Sequence, residues 1–231
     1  MKTNSKPSWD RIRMFKKCMN NFGVGDGAFD WPNNILSRRT IVFECGLIAR
    51  KGTCGIREID AREFTLCQRL AKRAHAQLRG LNFDIGSEEH NPLWEFYIVG
   101  SISEKVRSRI TPKFIRAKFA GTIFPPATIT AETLVDKGSW WSELVSASGE
   151  TGTSLDAYLR PYREMIAWFR ERPEFVSTAF VRIGDRRQLG QLTNEDLPQG
   201  TAVVPSVLPR LALGLTRKGS LVGLFGYTVQ T

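Results

Sequence analysis

The order of strand-like and helix-like segments constrains the fold of this chain more than any other feature. Four apolar runs are rich in residues that favour β-strands: Thr40–Ala49, Leu93–Ile102, Phe114–Phe124 and Phe175–Ile183. Two segments with apolar residues at helical spacing separate them, one opening at Asp60 and the other covering residues 155–169. The order β-α-β-β-α-β predicts an α+β chain with a ferredoxin-like core and insertions. A less regular α+β domain is the alternative.

The last twenty residues carry a second strong pattern. Two apolar runs lie within Leu211–Val229 and flank the polar turn Arg217–Ser220. Apolar runs joined by a short turn that contains glycine predict a β-hairpin. We therefore expect a C-terminal hairpin with Arg217 and Lys218 at its tip.

The first helical segment has a clear start. Asp60 followed by Glu63 predicts an N-cap with its capping partner. An apolar stripe follows at helical spacing, and it consists of Phe64, Cys67, Ala71, Ala74 and Leu78. The basic residues Arg69, Lys72 and Arg73 fall on the other side of the helix, which we expect to face solvent.

Residues 1–37 differ from the rest of the chain. They are poor in periodic pattern, rich in glycine, asparagine and other turn formers, and basic. Such a segment is typical of an arm that becomes ordered on binding, and the alternative is a short amphipathic helix that docks on a partner. We predict a flexible basic N-terminal arm of residues 1–37 and a single α+β domain of residues 38–231.

Positive charge is segregated along the chain. The formal net charge is +10, from 33 Lys and Arg against 23 Asp and Glu. Residues 1–39 hold eight basic and three acidic side chains, whereas residues 119–199 hold eight basic and eleven acidic ones. A basic arm beside a basic folded region indicates a polyanionic partner. Nucleic acid, with RNA favoured, is the first expectation, and an anionic membrane surface is the second.

Candidate nucleic-acid-binding residues are the basic side chains of the arm, the first helix, the acid-free run of residues 105–118 and the hairpin tip. They are Arg11, Arg13, Lys16, Lys17, Arg38, Arg39, Arg69, Lys72, Arg73, Lys105, Arg107, Arg109, Lys113, Arg116, Lys118, Arg217 and Lys218. Single-stranded RNA is also held by aromatic stacking. Phe43 and Phe119 are the stacking candidates if both stand on the face of a central strand; the alternative is that they are core residues.

Two short stretches resemble RNA-binding families. Val42–Leu47 resembles the first-strand motif of RNA-recognition motif domains but carries Glu44 and Cys45. Four glycines surround the hairpin tip, and they resemble the glycine-rich loop of CRISPR repeat-associated RNA-binding proteins with a different spacing: Gly214, Gly219, Gly223 and Gly226. Both resemblances imply an RNA partner, and neither assigns the chain to a family.

Motifs of catalysis are missing from the sequence. It contains no phosphate-binding P-loop, no nucleophile elbow and no cysteine or histidine spacing that suits zinc. We therefore assign no catalytic residue, no metal and no cofactor, and favour a non-enzymatic protein. The enzyme alternative is a small metal-independent endoribonuclease that uses His75 or His90, the two histidines of the chain.

A structural protein is the remaining alternative. A basic flexible N-terminus on an α+β core also suits a viral matrix or nucleocapsid protein that binds anionic membrane and self-associates. Trp140 and Trp141 lie in a polar stretch and are candidates for a partner or membrane contact. Four scattered cysteines without a paired spacing indicate a reducing compartment. We expect a cytoplasmic protein, or one inside a host cell if it is viral, that works with protein partners or copies of itself.

Overall fold

The computed structural model describes fourteen segments of the chain: residues 22–24, 35–37, 40–43, 47–50, 60–77, 82–83, 91–100, 102, 107–119, 123, 127–134, 154–189, 203–204 and 206–229. Side chains are described from residue 60 onwards, except in the short strands at 82–83, 91–92 and 203–204.

These segments contain both strands and helices, so the chain is α+β. The strands are β1 (Phe22–Val24), β2 (Ile35–Ser37), β3 (Thr40–Phe43), β4 (Leu47–Arg50), β5 (Asn82–Phe83), β6 (Asn91–Pro92), β7 (Trp94–Ile98), β8 (Ile129–Glu132), β9 (Phe175–Ile183), β10 (Val203–Val204), β11 (Val207–Thr216) and β12 (Leu221–Val229). The helices are α1 (Ala61–Gln77), α2 (Pro112–Lys118) and α3 (Ser154–Arg170), and one turn of 3-10 helix covers Arg186–Gln188.

An antiparallel sheet forms the centre of the fold. Its order is β7-β12-β11-β9-β8, and β1 pairs with the outer edge of β7. Strands β11 and β12 form a hairpin whose pairs run from Val207 opposite Val229 to Leu215 opposite Leu221. Gly219, with φ 82°, supplies the left-handed residue of the turn. The predicted C-terminal hairpin is confirmed.

The two long helices cover one face of this sheet. Leu70 and Ala71 of α1 and Tyr162 and Phe169 of α3 are buried there together with Phe180 of β9. An amphipathic helix becomes stable when its apolar stripe packs against such a surface. The predicted stripe of the first helix is thereby confirmed at its buried members Cys67, Ala71 and Ala74.

The short helix α2 and a group of aromatic rings cover the opposite face. Phe96 of β7 stacks on Phe119, which follows α2, and on Phe225 of β12, with both ring centroids 6.1 Å away. All three rings are buried. Because β11 and β12 lie between two covered faces, every residue in both strands is buried, and this explains why both strands are mostly apolar without alternation.

The ferredoxin-like arrangement predicted from the sequence is not the arrangement of the described sheet. The first predicted strand, Thr40–Ala49, falls on β3 and β4, which pair with each other in a separate small sheet with β2 and β10. The second predicted strand corresponds to β7, and the fourth, Phe175–Ile183, coincides with β9. The boundary between an arm and a domain at residue 37 stays a prediction.

The third predicted strand, Phe114–Phe124, is wrong because residues 112–118 form α2. Thr111 is the N-cap, and its hydroxyl accepts a hydrogen bond from the Phe114 N–H at 3.2 Å. Pro112 occupies the first turn, where its fixed φ suits a helix and its missing N–H costs nothing. These two residues start a helix where the apolar run alone suggested a strand.

The start of α1 confirms half of its predicted cap. Asp60 accepts hydrogen bonds from the N–H groups of Arg62 (2.8 Å) and Glu63 (3.2 Å), as an N-cap does. Glu63 is buried and accepts a hydrogen bond from the Thr216 hydroxyl of β11 at 2.5 Å. The predicted capping partner therefore binds the hairpin.

Among the described residues, no helix is long and apolar enough to cross a membrane.

Candidate nucleic-acid interface

Half of β9 has no strand beside it on one side among the described segments. Strand β8 pairs only with Phe180–Ile183, whereas β11 pairs along nearly the whole of β9 on the other side. The first half of β9, Phe175–Ala179, therefore extends beyond β8. A cavity of about 520 Å³ lies along this part of the strand. Its lining consists of Ser108, Arg109, Ile110, Thr133, Phe169, Arg170, Phe175, Val176, Ser177, Thr178 and Ala179.

A second cavity adjoins the first. It has a volume of about 300 Å³ and is lined by Arg107, Ser108, Arg109, Thr111, Lys113, Phe114 and Ala117. Ser108 and Arg109 line both cavities, so these two residues form the wall between them. We call the pair of cavities the basic groove.

The charged side chains that line the groove among the described residues are all positive. Arg107, Arg109, Lys113 and Arg170 line it, and all four side chains are exposed. Among the described residues, neither lining contains an aspartate or glutamate. Within the described part of the chain, none of these four cations forms an ion pair. Their charges are therefore available to an anion that enters the groove.

The wall of the groove is attached to the sheet through Ile110. The Ile110 N–H donates a hydrogen bond to the Ser177 hydroxyl of β9 at 3.4 Å, and the Ile110 side chain is buried. Thr111 and Pro112 then begin α2 directly after the wall. Arg107, Arg109 and Lys113 are thus presented from a segment with two fixed points.

Two predicted binding residues of the same run are used inside the protein. Arg116 is half-buried and donates hydrogen bonds of 2.8 Å to the carbonyl oxygens of both Ile123 and Ala127. Lys118 lies 5.4 Å from the centre of the Phe114 ring. Because the Arg116 guanidinium donates to these backbone carbonyl oxygens, it links α2 to the segment that follows it.

The basic residues of α1 form a different surface. Arg69, Lys72 and Arg73 are exposed, in agreement with the predicted helix face. Helix α1 lies over β7 and β12, whereas the groove runs along β9, and β11 separates β12 from β9. The structure therefore does not join these cations to the groove.

The hairpin tip is tied to α1. Lys218 donates to the Asp60 carboxylate at 2.5 Å, and Arg217 beside it is exposed. The Lys218 hydrogen bond, with the N–H groups of Glu63 and Arg62, lowers the pKa of Asp60 from 3.8 to about 2. The same carboxylate raises the pKa of Lys218. Both tip cations are thus exposed, and Lys218 has an ion-pair partner within the chain.

The stacking candidates are not brought together on a sheet face. Phe119 follows α2 and is fully buried against Phe96, so its ring is closed to a base. The expectation of an exposed sheet-face position for Phe119 is therefore corrected. Phe43 lies in β3 of the small sheet, and its side chain is outside the described residues.

The remaining predicted residues also lie outside the described segments. They are Arg11, Arg13, Lys16, Lys17, Arg38, Arg39, Lys105, Trp140, Trp141 and His90. The other histidine, His75 of α1, has its Nδ1 atom 3.6 Å from the Glu95 carboxylate of β7, away from the groove. No group of three or more possible metal ligands occurs in the described part of the chain.

Sequence reasoning missed Arg170 and the hydroxyl side chains that line the larger cavity. Arg170 ends α3, and Pro173 separates it from the start of β9. That short connection is the signal that could have placed it beside the strand. No signal in the sequence joins Arg170 to Arg109, because 60 residues separate them.

No model of a known protein family matches the chain, and no curated protein is significantly similar to it. The function is therefore inferred from the residues of the groove.

Proposed function

We propose that this protein binds nucleic acid without catalysing a reaction, with RNA as the favoured ligand, and that the basic groove is its binding surface. One observation carries the proposal: two adjoining cavities share Arg109 and have four exposed cations, and their described lining residues include no carboxylate. Phosphate groups are the anions that such clusters of arginine and lysine recognise in nucleic acids.

The form of the groove supports a polymer as the ligand. Arg107 and Lys113 belong to the smaller cavity and Arg170 to the larger one, with Arg109 between them. A continuous path of cations suits successive phosphates of one strand. The exposed cations of α1 and of the hairpin tip lie on other surfaces, where they can contact a longer RNA or a ribonucleoprotein assembly.

Salt dependence tests the electrostatic part of the proposal. Each phosphate contact on a single strand contributes about −0.7 to the slope of log K against log salt, so four contacts give about −3. We expect a slope of that size for a fluorescent single-stranded RNA measured by anisotropy from 50 to 300 mM salt. An affinity that stays constant over this range would reject the proposal.

Charge reversal within α3 tests the location. Arg170→Glu changes a cation of the groove, and Arg160→Glu makes the same change on the same helix outside it. Arg160 is exposed and only 3.9 Å from Asp156, a surface pair of small energy. We expect Arg170→Glu to weaken RNA binding about tenfold and to flatten the salt slope by about 1, whereas Arg160→Glu leaves both near the wild type. Equal effects of the two variants would move the site away from the groove.

A comparison of RNA with lipid vesicles tests whether the ligand is a nucleic acid or a membrane. Vesicles that contain anionic lipid offer phosphate on a flat surface, and a groove beside a strand edge matches a polymer better. We expect RNA to bind in preference to such vesicles at equal ionic strength. Stronger binding to vesicles would favour the matrix-protein alternative.

The proposal places the protein in the cytoplasm, or inside a host cell if it is viral.

A further inference from the structure

The two cavities of the basic groove have different chemical linings. The smaller one has three cations, Arg107, Arg109 and Lys113, together with the Thr111 hydroxyl. The larger one adds a single further cation, Arg170, and is otherwise lined by hydroxyl and apolar side chains: Ser108, Thr133, Ser177, Thr178, Ile110, Phe169, Phe175, Val176 and Ala179. A phosphate suits the first lining, and a group that is both polar at its edge and apolar on its faces suits the second.

A nucleobase is such a group. Cavities of about 300–1,000 Å³ hold small organic ligands, so the larger cavity, at about 520 Å³, has room for a base and its ribose. The exposed side chain of Val176, at 42%, and the half-buried Phe175 ring offer apolar surface. The hydroxyl groups of Thr133, Ser177 and Thr178 offer donors and acceptors to the edge of a base.

The main chain of β9 adds to these contacts. Along Val176–Ala179 the strand extends beyond β8, so on that side no described strand pairs with its N–H and C=O groups, whereas the Phe175 N–H donates to the Arg172 carbonyl oxygen. Main-chain groups of this kind need hydrogen-bond partners. A base in the cavity lies beside them.

We propose that the larger cavity is a nucleobase subsite, and that the smaller cavity binds the phosphate of the same or the adjacent nucleotide. Ser108 and Arg109 line both cavities, so the two subsites adjoin each other. A paired and stacked base cannot enter a cavity, so the ligand class is a single-stranded nucleic acid, which the proposed function takes to be RNA. This inference rests on the proposed function.

Three probes of equal length test it: a single-stranded oligouridine, an abasic oligonucleotide with the same number of phosphates, and an RNA duplex. We expect the wild-type protein to bind the single strand about tenfold more tightly than the abasic strand, as one base contact provides. We expect the duplex to bind no better than the abasic strand.

A filled cavity supplies the matched variant. Thr133→Trp places a large uncharged side chain in the lining, whereas Thr130→Trp does so at an exposed position of β8 that lines neither cavity. We expect Thr133→Trp to abolish the preference for the single strand over the abasic strand and to keep the salt slope. Thr130→Trp should keep both. If Thr133→Trp does not fold, the wild-type comparison of the three probes still decides.

The outcomes separate the two proposals. Equal, salt-dependent binding of all three probes by the wild type would overturn the nucleobase subsite and leave the phosphate-binding groove. A preference for the single strand that persists in Thr133→Trp would place the base elsewhere and would also overturn the subsite. No binding of any probe at low salt would overturn the proposed function itself.

Discussion

The Lys218 ammonium group lies 2.5 Å from the Asp60 carboxylate, so the tip of the C-terminal hairpin is bonded to the residue that caps α1. The two residues are 158 positions apart in the chain. A second hydrogen bond, from the Thr216 hydroxyl to the Glu63 carboxylate, joins the same two elements about one turn further along α1 and is buried. One exposed and one buried hydrogen bond therefore connect the hairpin to the helix, and each gives a separate prediction.

The exposed pair makes stability depend on acid pH. The pKa of Asp60 is about 2 in the folded protein against an ordinary 3.8. A carboxylate with a lowered pKa adds stability above its unfolded value, and this contribution disappears as pH falls from about 4 to about 2. We expect Asp60→Asn, which keeps an acceptor for the cap, to melt below the wild type at pH 7. The gap should narrow as pH falls through that window.

Thermal unfolding followed by circular dichroism between pH 7 and pH 2 measures this gap. Lys218→Met removes the other partner and serves as the control, because it should lose the part of the pH-dependent contribution that comes from the Lys218 hydrogen bond and keep the part that comes from the Arg62 and Glu63 N–H groups. A gap between wild type and Asp60→Asn that is the same at pH 7 and at pH 2 would show that the pair adds nothing to stability.

The buried pair predicts a larger loss. Thr216→Val removes a hydroxyl that donates to Glu63 and accepts from the Ser220 N–H at 3.0 Å. Both Thr216 and Glu63 are buried, so each lost partner leaves a polar group without water. We expect the free energy of unfolding to fall by about 1–3 kcal/mol. Urea denaturation measures it, and Thr216→Ser, which keeps the hydroxyl, should lose less than Thr216→Val.

Local signals made part of this fold predictable. Strand β9 could be predicted to the residue because Pro173 and Gly184 bound a run of β-formers, and the hairpin because a glycine-containing turn separates two apolar runs. The wrong prediction of a strand at α2 arose because its apolar residues fit both the period of a strand and the period of a helix. Phe114, Ile115 and Phe119 are buried on one side of a helix, and Thr111 with Pro112 was the deciding start signal.

The groove could be predicted only in part. Arg107, Arg109 and Lys113 stand in an acid-free run of sequence and were identified as cations for phosphate. The larger cavity lies where β8 stops opposite Phe180 and where the end of α3 places Arg170 near the start of β9. These are tertiary relations, and no local pattern reports where one strand ends beside another.

Glycines under bulky neighbours give a third prediction. A Cβ atom at Gly214 would lie 2.5 Å from the Phe175 ring, and one at Gly223 would lie 1.9 Å from the Ala212 carbonyl oxygen. The ring can turn or shift, whereas the carbonyl belongs to the neighbouring strand of the sheet. We expect Gly214→Ala to cost about 1–3 kcal/mol and Gly223→Ala to cost more. Urea denaturation of the two variants checks the order, and a smaller loss for Gly223→Ala would contradict it.

The last prediction separates structural from binding arginines within one run. Arg116 donates to the carbonyl oxygens of Ile123 and Ala127, whereas Arg109 is exposed in both cavities. We expect Arg116→Met to lower the free energy of unfolding by about 1–3 kcal/mol, because it loses two hydrogen bonds from a charged donor, and to keep the affinity for RNA. Arg109→Met should do the reverse, with unchanged stability and weaker binding at low salt. Measuring urea denaturation and RNA anisotropy on both variants assigns each role. Equal losses of affinity in the two would mean that Arg116 also contacts the ligand.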